Sequence, residues 1–453
     1  MTDELQRLME RIAERAPQPP SAPGDDHDLW ASARRAHRRD LVLVPVAALA
    51  AFAIVVGTVL GLQHATDDRP VAPAHQNGTA EVPSRIYAMP MSAAKPTRDL
   101  ALGTLAAVYL AKPDIHPVAV SAMTGAYHRL ALPGFDPGPT RDFALSPDGR
   151  QLAYAWRGAV PAKPQAEPVP SGIAVVNLAD GQVTRYRLGL GKGVSVAMPA
   201  WSPNGRWLAF DYGVATKLTR GAAAYGRWRV GLLDTRASSA EAALDDPGDA
   251  LVTMPARGGV GSTNSAVGVT NDGTVIATAF DLRLWHPDSR ERVIDFPKPY
   301  GNEKFSRAAT ALVPAPDGKR VVVTLGVTPL PYVLDVASER LRPLSGLTKA
   351  SYTALGWAAG SVVGTYDTAA DEVDLQLWPA AGKEQVIGTI DQDASHVLSL
   401  ATGLMTATHP TAEFPKPSWV HTSRHLWWIP PVIAGVLIGV AAELWRRRRG
   451  RLG

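Results

Sequence analysis

A repeated hairpin pattern limits the folds that this chain can adopt. In residues 143–156, FALSPDGRQLAYAW, an alternating apolar run stops at Ser-Pro-Asp-Gly and then resumes. An Asp-Gly or Asn-Gly pair between alternating apolar segments is a strong hairpin signal, because glycine adopts a positive φ without steric cost. Four copies carry such a pair, and a degenerate fifth copy turns at Gly360. We interpret the paired residues as structural turn residues: Asp148, Gly149, Asn204, Gly205, Asp272, Gly273, Asp317 and Gly318.

The spacing of the turns indicates the size of the repeating unit. Successive turn glycines are 56, 68, 45 and 42 residues apart, and four-stranded propeller blades measure about 40–50 residues. Outer hairpins follow these copies at 173–188, from 229, at 282–296, 332–344 and 375–388, with another upstream at 117–132. Six outer hairpins against five inner ones leave one blade without an inner strand. Residues 395–405 can supply it beside the strands near 101–110, which removes an open sheet edge. The sequence therefore predicts an all-β, six-bladed β-propeller, with seven blades as the alternative.

The repeats also resemble those of a known class. LSPDGRQLAYAW and WSPNGRWLAFDY resemble the repeats of TolB-like and WD-repeat propellers of bacterial envelope proteins. The resemblance implies the propeller fold but no catalytic residues, because propellers host binding modules, lyases and hydrolases alike. The excess of Arg over Lys, with abundant Ala, Gly, Pro and Val, resembles proteins of high-GC actinobacteria.

Composition excludes several functions. The chain has no cysteine, which rules out disulfides, thiol nucleophiles and cysteine metal sites. The formal net charge is +4, and the excess of positive charge lies in the C-terminal residues 441–453 rather than on a basic face. A nucleic-acid partner is therefore not expected.

Two apolar segments predict membrane helices. Residues 41–62 and most of 426–445 are uncharged, long enough to cross a hydrocarbon core of about 30 Å. A cleaved signal peptide is the alternative for the first, and a helix packed on protein for the second. The membrane-boundary residues are Arg38, Arg39, Trp427, Trp428, Arg446 and Arg447. By the positive-inside rule both termini are cytoplasmic, and the propeller lies outside the plasma membrane.

The resulting domain order has seven parts. It runs through a cytoplasmic segment 1–40, a transmembrane helix 41–62, a linker 63–84, the propeller 85–408, a linker 409–425, a transmembrane helix 426–445 and a basic cytoplasmic tail 446–453.

No motif predicts catalysis or a cofactor. The chain lacks G-x-S-x-G, a phosphate loop and paired histidine ligands, so no catalytic residue, cofactor site or metal site is assigned. Long connections at 157–171, 213–227 and about 235–264 are instead predicted to emerge on the rim opposite the tight turns. Such loops commonly carry binding residues, and the candidates at their feet are Tyr212, Tyr225 and Trp228. Tolerated insertions with core aromatics are the alternative.

The cytoplasmic segment offers a further hypothesis. Leu5, Leu8, Met9 and Ile12 share one face at helical spacing, and a short amphipathic helix needs a protein partner or a membrane surface to bury that face. The layout of residues 1–62 resembles membrane proteins associated with extracytoplasmic-function sigma factors, without the zinc-type anti-sigma signature. The leading hypothesis is a non-catalytic extracytoplasmic binding, sensing or scaffold protein that captures a protein or ligand. The alternatives are a transmembrane regulator of a cytoplasmic protein, acting through residues 1–40, and a propeller-type hydrolase or lyase.

Overall fold

The computed structural model describes residues 78–420, apart from gaps at 112–114, 136–142, 159–169, 189–193, 220–221, 237–250, 254–265, 279–281, 289–290, 295–308, 326–330, 345–346, 348–351, 369–371, 380–382 and 396. The first strands are β1 (Arg85–Ile86), β2 (Leu105–Tyr109), β3 (Val118–Ser121), β4 (Tyr127–Arg129), β5 (Phe143–Leu145), β6 (Gln151–Arg157), β7 (Ser171–Asn177), β8 (Val183–Arg187), β9 (Val194–Trp201), β10 (Trp207–Thr219), β11 (Ala222–Asp234) and β12 (Leu251–Thr253). The later strands are β13 (Val267–Val269), β14 (Val275–Thr278), β15 (Leu282–Trp285), β16 (Arg292–Ile294), β17 (Ala309–Pro314), β18 (Arg320–Leu325), β19 (Tyr332–Asp335), β20 (Arg340–Pro343), β21 (Tyr352–Ala358), β22 (Ser361–Asp367), β23 (Glu372–Trp378), β24 (Gln385–Asp391) and β25 (Leu398–Leu400). A helical turn, α1 (Gln392–Ser395), and a 3-10 turn at Thr402–Leu404 flank β25.

Over the described residues these strands form six antiparallel blades. From the centre outward, blade 1 is β25-β2-β3-β4, and blades 2 to 5 are β5–β8, β9–β12, β13–β16 and β17–β20. Blade 6 is β21–β24 with β1 added outside. The all-β, six-bladed propeller predicted from the repeats is thus confirmed, and the seven-bladed alternative is not observed.

The central strands of the blades are apolar on both faces. All five residues of β2 are buried, as are the middle five of β6. A strand covered on both faces reads as a continuous apolar run instead of an alternating one. Each blade therefore packs its two faces on its two neighbours, and most of the core lies at these interfaces.

The C-terminal strand closes the ring from inside. β25 pairs antiparallel with β2, with Ala107 opposite Leu400 and Tyr109 opposite Leu398. This is the predicted closure through residues 395–405.

The N-terminal strand adds a second closure that the sequence did not predict. β1 pairs in parallel with the outer edge of β24, with Ile86 opposite Ile390, and Pro83 forms a parallel bridge with Ala412. The predicted linkers 63–84 and 409–425 therefore differ from the structure at their propeller ends. Val82 is buried there, and Trp419 packs edge-on against Tyr127 with ring centroids 5.6 Å apart.

The predicted membrane and cytoplasmic parts lie outside the described residues. They are the segment 1–40, the spans 41–62 and 426–445 with their boundary residues, and the tail 446–453. Within the described part of the chain, no helix has the length and apolar character needed to cross a membrane.

Candidate functional site

The turns that predicted the fold form one rim, which we name the tight-turn rim. Gly149, Gly205, Gly273 and Gly318 all adopt φ between 66° and 89°. In blade 2 the Ser146 hydroxyl donates to Asp148 Oδ1 at 2.6 Å and accepts the Gln151 amide at 2.9 Å. The Asp and Asn side chains are thus used within their own turns, as Asx-type turn chemistry requires.

Neighbouring turns on this rim are also bonded to each other. Asn271, which stands where other copies have proline, accepts the Asn204 amide at 2.8 Å. Its Nδ2 donates to the Pro316 carbonyl at 2.7 Å. The side chain of Asn271 therefore joins the turns of blades 3, 4 and 5, which gives these turn residues a structural role.

The opposite rim carries the most unusual element of the fold, a long two-stranded ribbon. β10 and β11 have 13 residues each, against 7 each for β6 and β7. β9 pairs with β10 only up to Val214, and β12 pairs with β11 only at Gly231–Leu233. Beyond these points Ala215–Thr219 pairs with Ala222–Tyr225 alone among the described strands. We call residues 215–227 the blade 3 ribbon.

This element corrects two predictions about the connections. Residues 213–227 are not a loop, because every described residue of the segment lies in β10 or β11, and 220–221 lie outside the described residues. The connection from β11 to β12 starts on the tight-turn rim rather than on the opposite one, because Asp234 at the end of β11 pairs with Trp207. Residues 237–250 of this connection lie outside the described residues. The third predicted connection, 157–171, is described only at its ends. There the Gly158 amide donates to the Pro170 carbonyl at 2.7 Å, and residues 159–169 lie outside the described residues.

The three predicted rim aromatics have different positions. Tyr212 is buried and packs on Phe210 with ring centroids 6.0 Å apart, which matches the alternative interpretation of core aromatics. Trp228 is half-buried and pairs with Gly213. Because strand residues alternate between faces, Tyr212 and Trp228 lie on opposite faces of the hairpin. Tyr225 pairs with Ala215 on the ribbon.

A channel runs along the propeller axis between the innermost strands of all six blades. Its volume is about 170 Å³, and side chains such as Leu145, Met198, Val313, Leu355 and Leu400 line it. Thr310, Ser399 and Thr402 are the polar side chains of its described wall, and no charged side chain lines that wall. The side chains of the wall are therefore mostly apolar, while backbone groups of the inner strands and three hydroxyl side chains supply a substantial polar surface.

Hydrogen bonds between blades hold the channel wall together. Trp201 Nε1 donates to the Ala144 carbonyl at 3.0 Å, and Trp357 Nε1 donates to the Val313 carbonyl at 2.9 Å. Ser399 Oγ accepts the Leu145 amide at 2.9 Å. These bonds satisfy backbone groups on inner edge strands that no further strand can pair.

The wall has one strained residue, which the sequence analysis missed. Met198 adopts a φ of 53° in a bulge of β9, where Ala197 pairs with Asp211 and Ala200 with Ala209. Positive φ is unfavourable for residues with a side chain. The signal was present in the strand sequence VSVAMPAW, because a proline inside a strand marks a bulge or an edge.

The described titratable residues concentrate instead where blade 6 meets blade 1. Arg85 Nη2 contacts Glu372 at 2.5 Å and Asp391 at 3.4 Å. Tyr109 donates to the Tyr87 carbonyl at 2.7 Å, and burial raises the pKa of the Tyr109 phenol well above its usual value. These contacts fix β1 in place, which is a structural role. Within the described ranges, no group of three or more His, Cys, Asp or Glu side chains could hold a metal.

The fold and site define the class of this protein as a six-bladed β-propeller. No protein-family model and no curated protein matches the chain. Among solved structures, TolB from Acinetobacter baumannii is 12% identical with a TM-score of 0.37, covering 64% of this chain and 66% of its own. The Cps50 (Swd1) propeller domain of Myceliophteria thermophila is 15% identical with a TM-score of 0.33, covering 54% and 66%. A Mycobacterium tuberculosis puromycin-hydrolyzing peptidase is 16% identical with a TM-score of 0.40, covering 68% and 48%.

These similarities are too low to transfer an activity. The chain spans just under two thirds of the TolB and Cps50 chains and about half of the peptidase. The fold assignment therefore rests on the sheets of this chain, and function has to be inferred from its own geometry.

Proposed function

We propose that this protein is a non-catalytic binding or scaffold protein, held outside the plasma membrane by the helices 41–62 and 426–445, and that the blade 3 ribbon is its binding element. The observation that carries the proposal is the length of the β10–β11 hairpin. Its outer part, Ala215–Thr219 with Ala222–Tyr225, pairs with no third strand among those described. An isolated two-stranded ribbon is marginally stable in water, so a partner that covers it would stabilise it.

The charge of the ribbon supports an acidic partner. Residues 212–233 include Lys217, Arg220, Arg227 and Arg229 and contain no Asp or Glu. Complementary charge increases the rate and specificity of association more than it increases affinity. We therefore infer a protein partner with an acidic surface.

The experiment replaces residues 215–226 by Asn-Gly, which joins Val214 to Arg227 through a two-residue hairpin turn. Folding should persist, because the removed part lies beyond the four-stranded blade, and partner capture should be lost. Cross-linking in intact cells followed by identification of the cross-linked proteins measures capture.

Two further variants make the result specific. Replacing Lys217, Arg220 and Arg227 by Glu reverses the charge of the ribbon without changing its length, and it should also abolish capture. Shortening 159–169, within the connection from β6 to β7 of blade 2, should leave capture unchanged. If the shortened ribbon retains every cross-linked protein, the ribbon is not the binding element.

The membrane topology can be tested separately, because the chain has no cysteine. Thr2→Cys and Gly453→Cys report on the two termini, and Asp288→Cys, at a side chain that is 90% exposed, reports on the propeller. A membrane-impermeant thiol reagent should label only the Asp288→Cys chain in intact cells and all three after permeabilisation. Labelling of either terminus in intact cells would contradict the two-pass arrangement.

A further inference from the structure

We propose that the central channel is a binding site for a small, neutral, largely apolar molecule about the size of one six-membered ring. This inference is independent of the ribbon and of its protein partner. It rests on three properties of the channel: the chemistry of its wall, its volume, and the strained Met198.

The wall chemistry selects against charge. The described wall holds no charged side chain, so an ion entering the channel would lose its hydration without a counter-charge. Two of the three hydroxyl side chains are already engaged, since Ser399 Oγ accepts the Leu145 amide and Thr310 Oγ1 contacts the Thr324 carbonyl at 3.4 Å. The side chains of the wall therefore offer mainly apolar contact, and the polar groups of the wall are uncharged.

The volume sets the size of the ligand. The channel encloses about 170 Å³. An enclosed apolar protein cavity of ~150 Å³ binds benzene, so a space of this volume accommodates one six-membered ring. The turn prolines Pro147, Pro203 and Pro316 line the channel as well, and they place it against the tight-turn rim.

Met198 is the residue of the wall that suits ligand contact. It keeps a side chain at a φ of 53°, where glycine would be less strained. Backbone strain of this kind is concentrated at functional sites. Methionine is flexible and polarisable, and it adapts to apolar and aromatic ligands.

The experiment observes Met198 directly in the full chain. The sequence has 8 methionines, and none lies in the predicted membrane spans. With ¹³C-methyl methionine labelling, each methyl group gives its own NMR signal, and Met198→Leu assigns the one in the channel. Met89 and Met405 are buried elsewhere and serve as internal controls.

Benzene is the probe, and sodium benzoate is its charged counterpart. Benzene should shift the Met198 signal saturably and leave those of Met89 and Met405 unchanged, whereas benzoate should shift none. Thr310 lines the channel and is exposed, so Thr310→Phe should fill the space and abolish the shift. Thr124→Phe, at an exposed turn of blade 1, should preserve it.

The wild-type comparison alone can overturn the proposal, even if Thr310→Phe fails to fold. The absence of a saturable shift at Met198 would contradict it. So would equal shifts at Met89 and Met405, which would show unspecific partition of benzene. An equal response to benzoate would show that the site does not select neutral molecules.

Discussion

At the scale of single residues, the repeats share one type of turn, in which the residue that bonds the Asp or Asn side chain differs from blade to blade. A hydroxyl residue starts the turn in three blades, where Ser146, Ser202 and Thr270 donate to the Asp or Asn two positions later. In blade 5 this position is Ala315, and Arg320 instead contacts Asp317 at 3.1 Å. The turn therefore depends on a capped acidic or amide side chain followed by glycine, and the group that caps it varies.

The turn glycines differ in what surrounds them, which gives a matched prediction. Gly149 and Gly205 have nearly the same φ, 71° and 66°. A Cβ on Gly205 would meet nothing within 4 Å, whereas one on Gly149 would collide with the Leu105 carbonyl of blade 1. Gly205→Ala should cost about 1 kcal/mol of unfolding free energy from positive φ alone. Gly149→Ala should cost about 3 kcal/mol, because backbone has to move as well.

Chemical denaturation of both variants measures this difference. Equal losses for the two would show that the Gly149 turn does not press against blade 1.

The pKa of Asp272 predicts a pH dependence. Burial opposes ionisation of this carboxyl, but hydrogen bonds from the Thr270 hydroxyl and the Thr274 amide outweigh it and lower the pKa below its usual 3.8. A carboxyl with a lowered folded-state pKa stabilises the fold above its unfolded-state pKa, and this contribution is lost as the pH falls through the folded-state value. Asp272→Asn should therefore be less stable than the wild type at pH 7, and the difference should shrink below about pH 4.

Urea unfolding across this pH range provides the measurement. Asp288→Asn, at a side chain that is 90% exposed, is the control and should follow the wild type throughout. A difference at Asp272 that stays constant down to pH 2 would contradict the assignment to ionisation.

At the scale of elements, β1 contributes more to the core than its short length suggests. It has two residues, yet Ile86 is fully buried in the cluster that joins blade 6 to blade 1. The backbone of the following residues is bound by side chains of both blades, with the Ala88 amide 3.0 Å from Asp391 Oδ2 and the Met89 amide 2.9 Å from the Tyr109 hydroxyl. β1 is therefore a structural part of the ring.

This role predicts a large cost for a small change in β1. Ile86→Ala should lower the unfolding free energy by about 3 kcal/mol, as for other large-to-small changes in a core. Val386→Ala, on the neighbouring β24, should change it by less than about 0.5 kcal/mol, because Val386 is 53% exposed. Thermal or urea unfolding compares the two, and similar small effects would mean that β1 does not hold the ring.

At the scale of the whole molecule, stability depends on a ring closed at one seam by both ends of the chain. β25 completes blade 1 from inside, and β1 extends blade 6 from outside. Hydrogen bonds join other neighbouring blades through Trp201, Trp357 and Asn271. Since each blade covers its neighbours, opening the ring exposes two blade faces and a strand edge at once.

Two truncations separate the inner closure from the outer one. A chain that ends at residue 397 lacks β25, and it should lose cooperative unfolding and bind a dye specific for exposed apolar surface. A chain that ends at residue 405 keeps β25 but lacks the bridge at Ala412, and it should unfold cooperatively at a lower midpoint. Both lack the segment 426–445, so the comparison isolates residues 398–405, which comprise β25 and the 3-10 turn that follows it. Equal cooperativity of the two chains would contradict closure through the inner strand.

The sequence by itself predicted the blades, six as their preferred number and the inner closure, and the tertiary structure decided between six blades and seven. Turns and apolar strand segments depend on residues that are close in the chain, so the hairpins at Asp148-Gly149 and its copies could be predicted from the sequence. The short β1 strand could not be predicted, because two residues carry no periodicity and their partner lies about 300 positions away, at Thr389 and Ile390. The blade 3 ribbon was predicted as a loop, because its alanine-rich sequence lacks alternation and its pairing depends on strands already aligned by the blade.

The channel depended most on tertiary structure. Its wall combines residues from six strands that are distant in the sequence, and only closure of the ring brings these residues together around a channel.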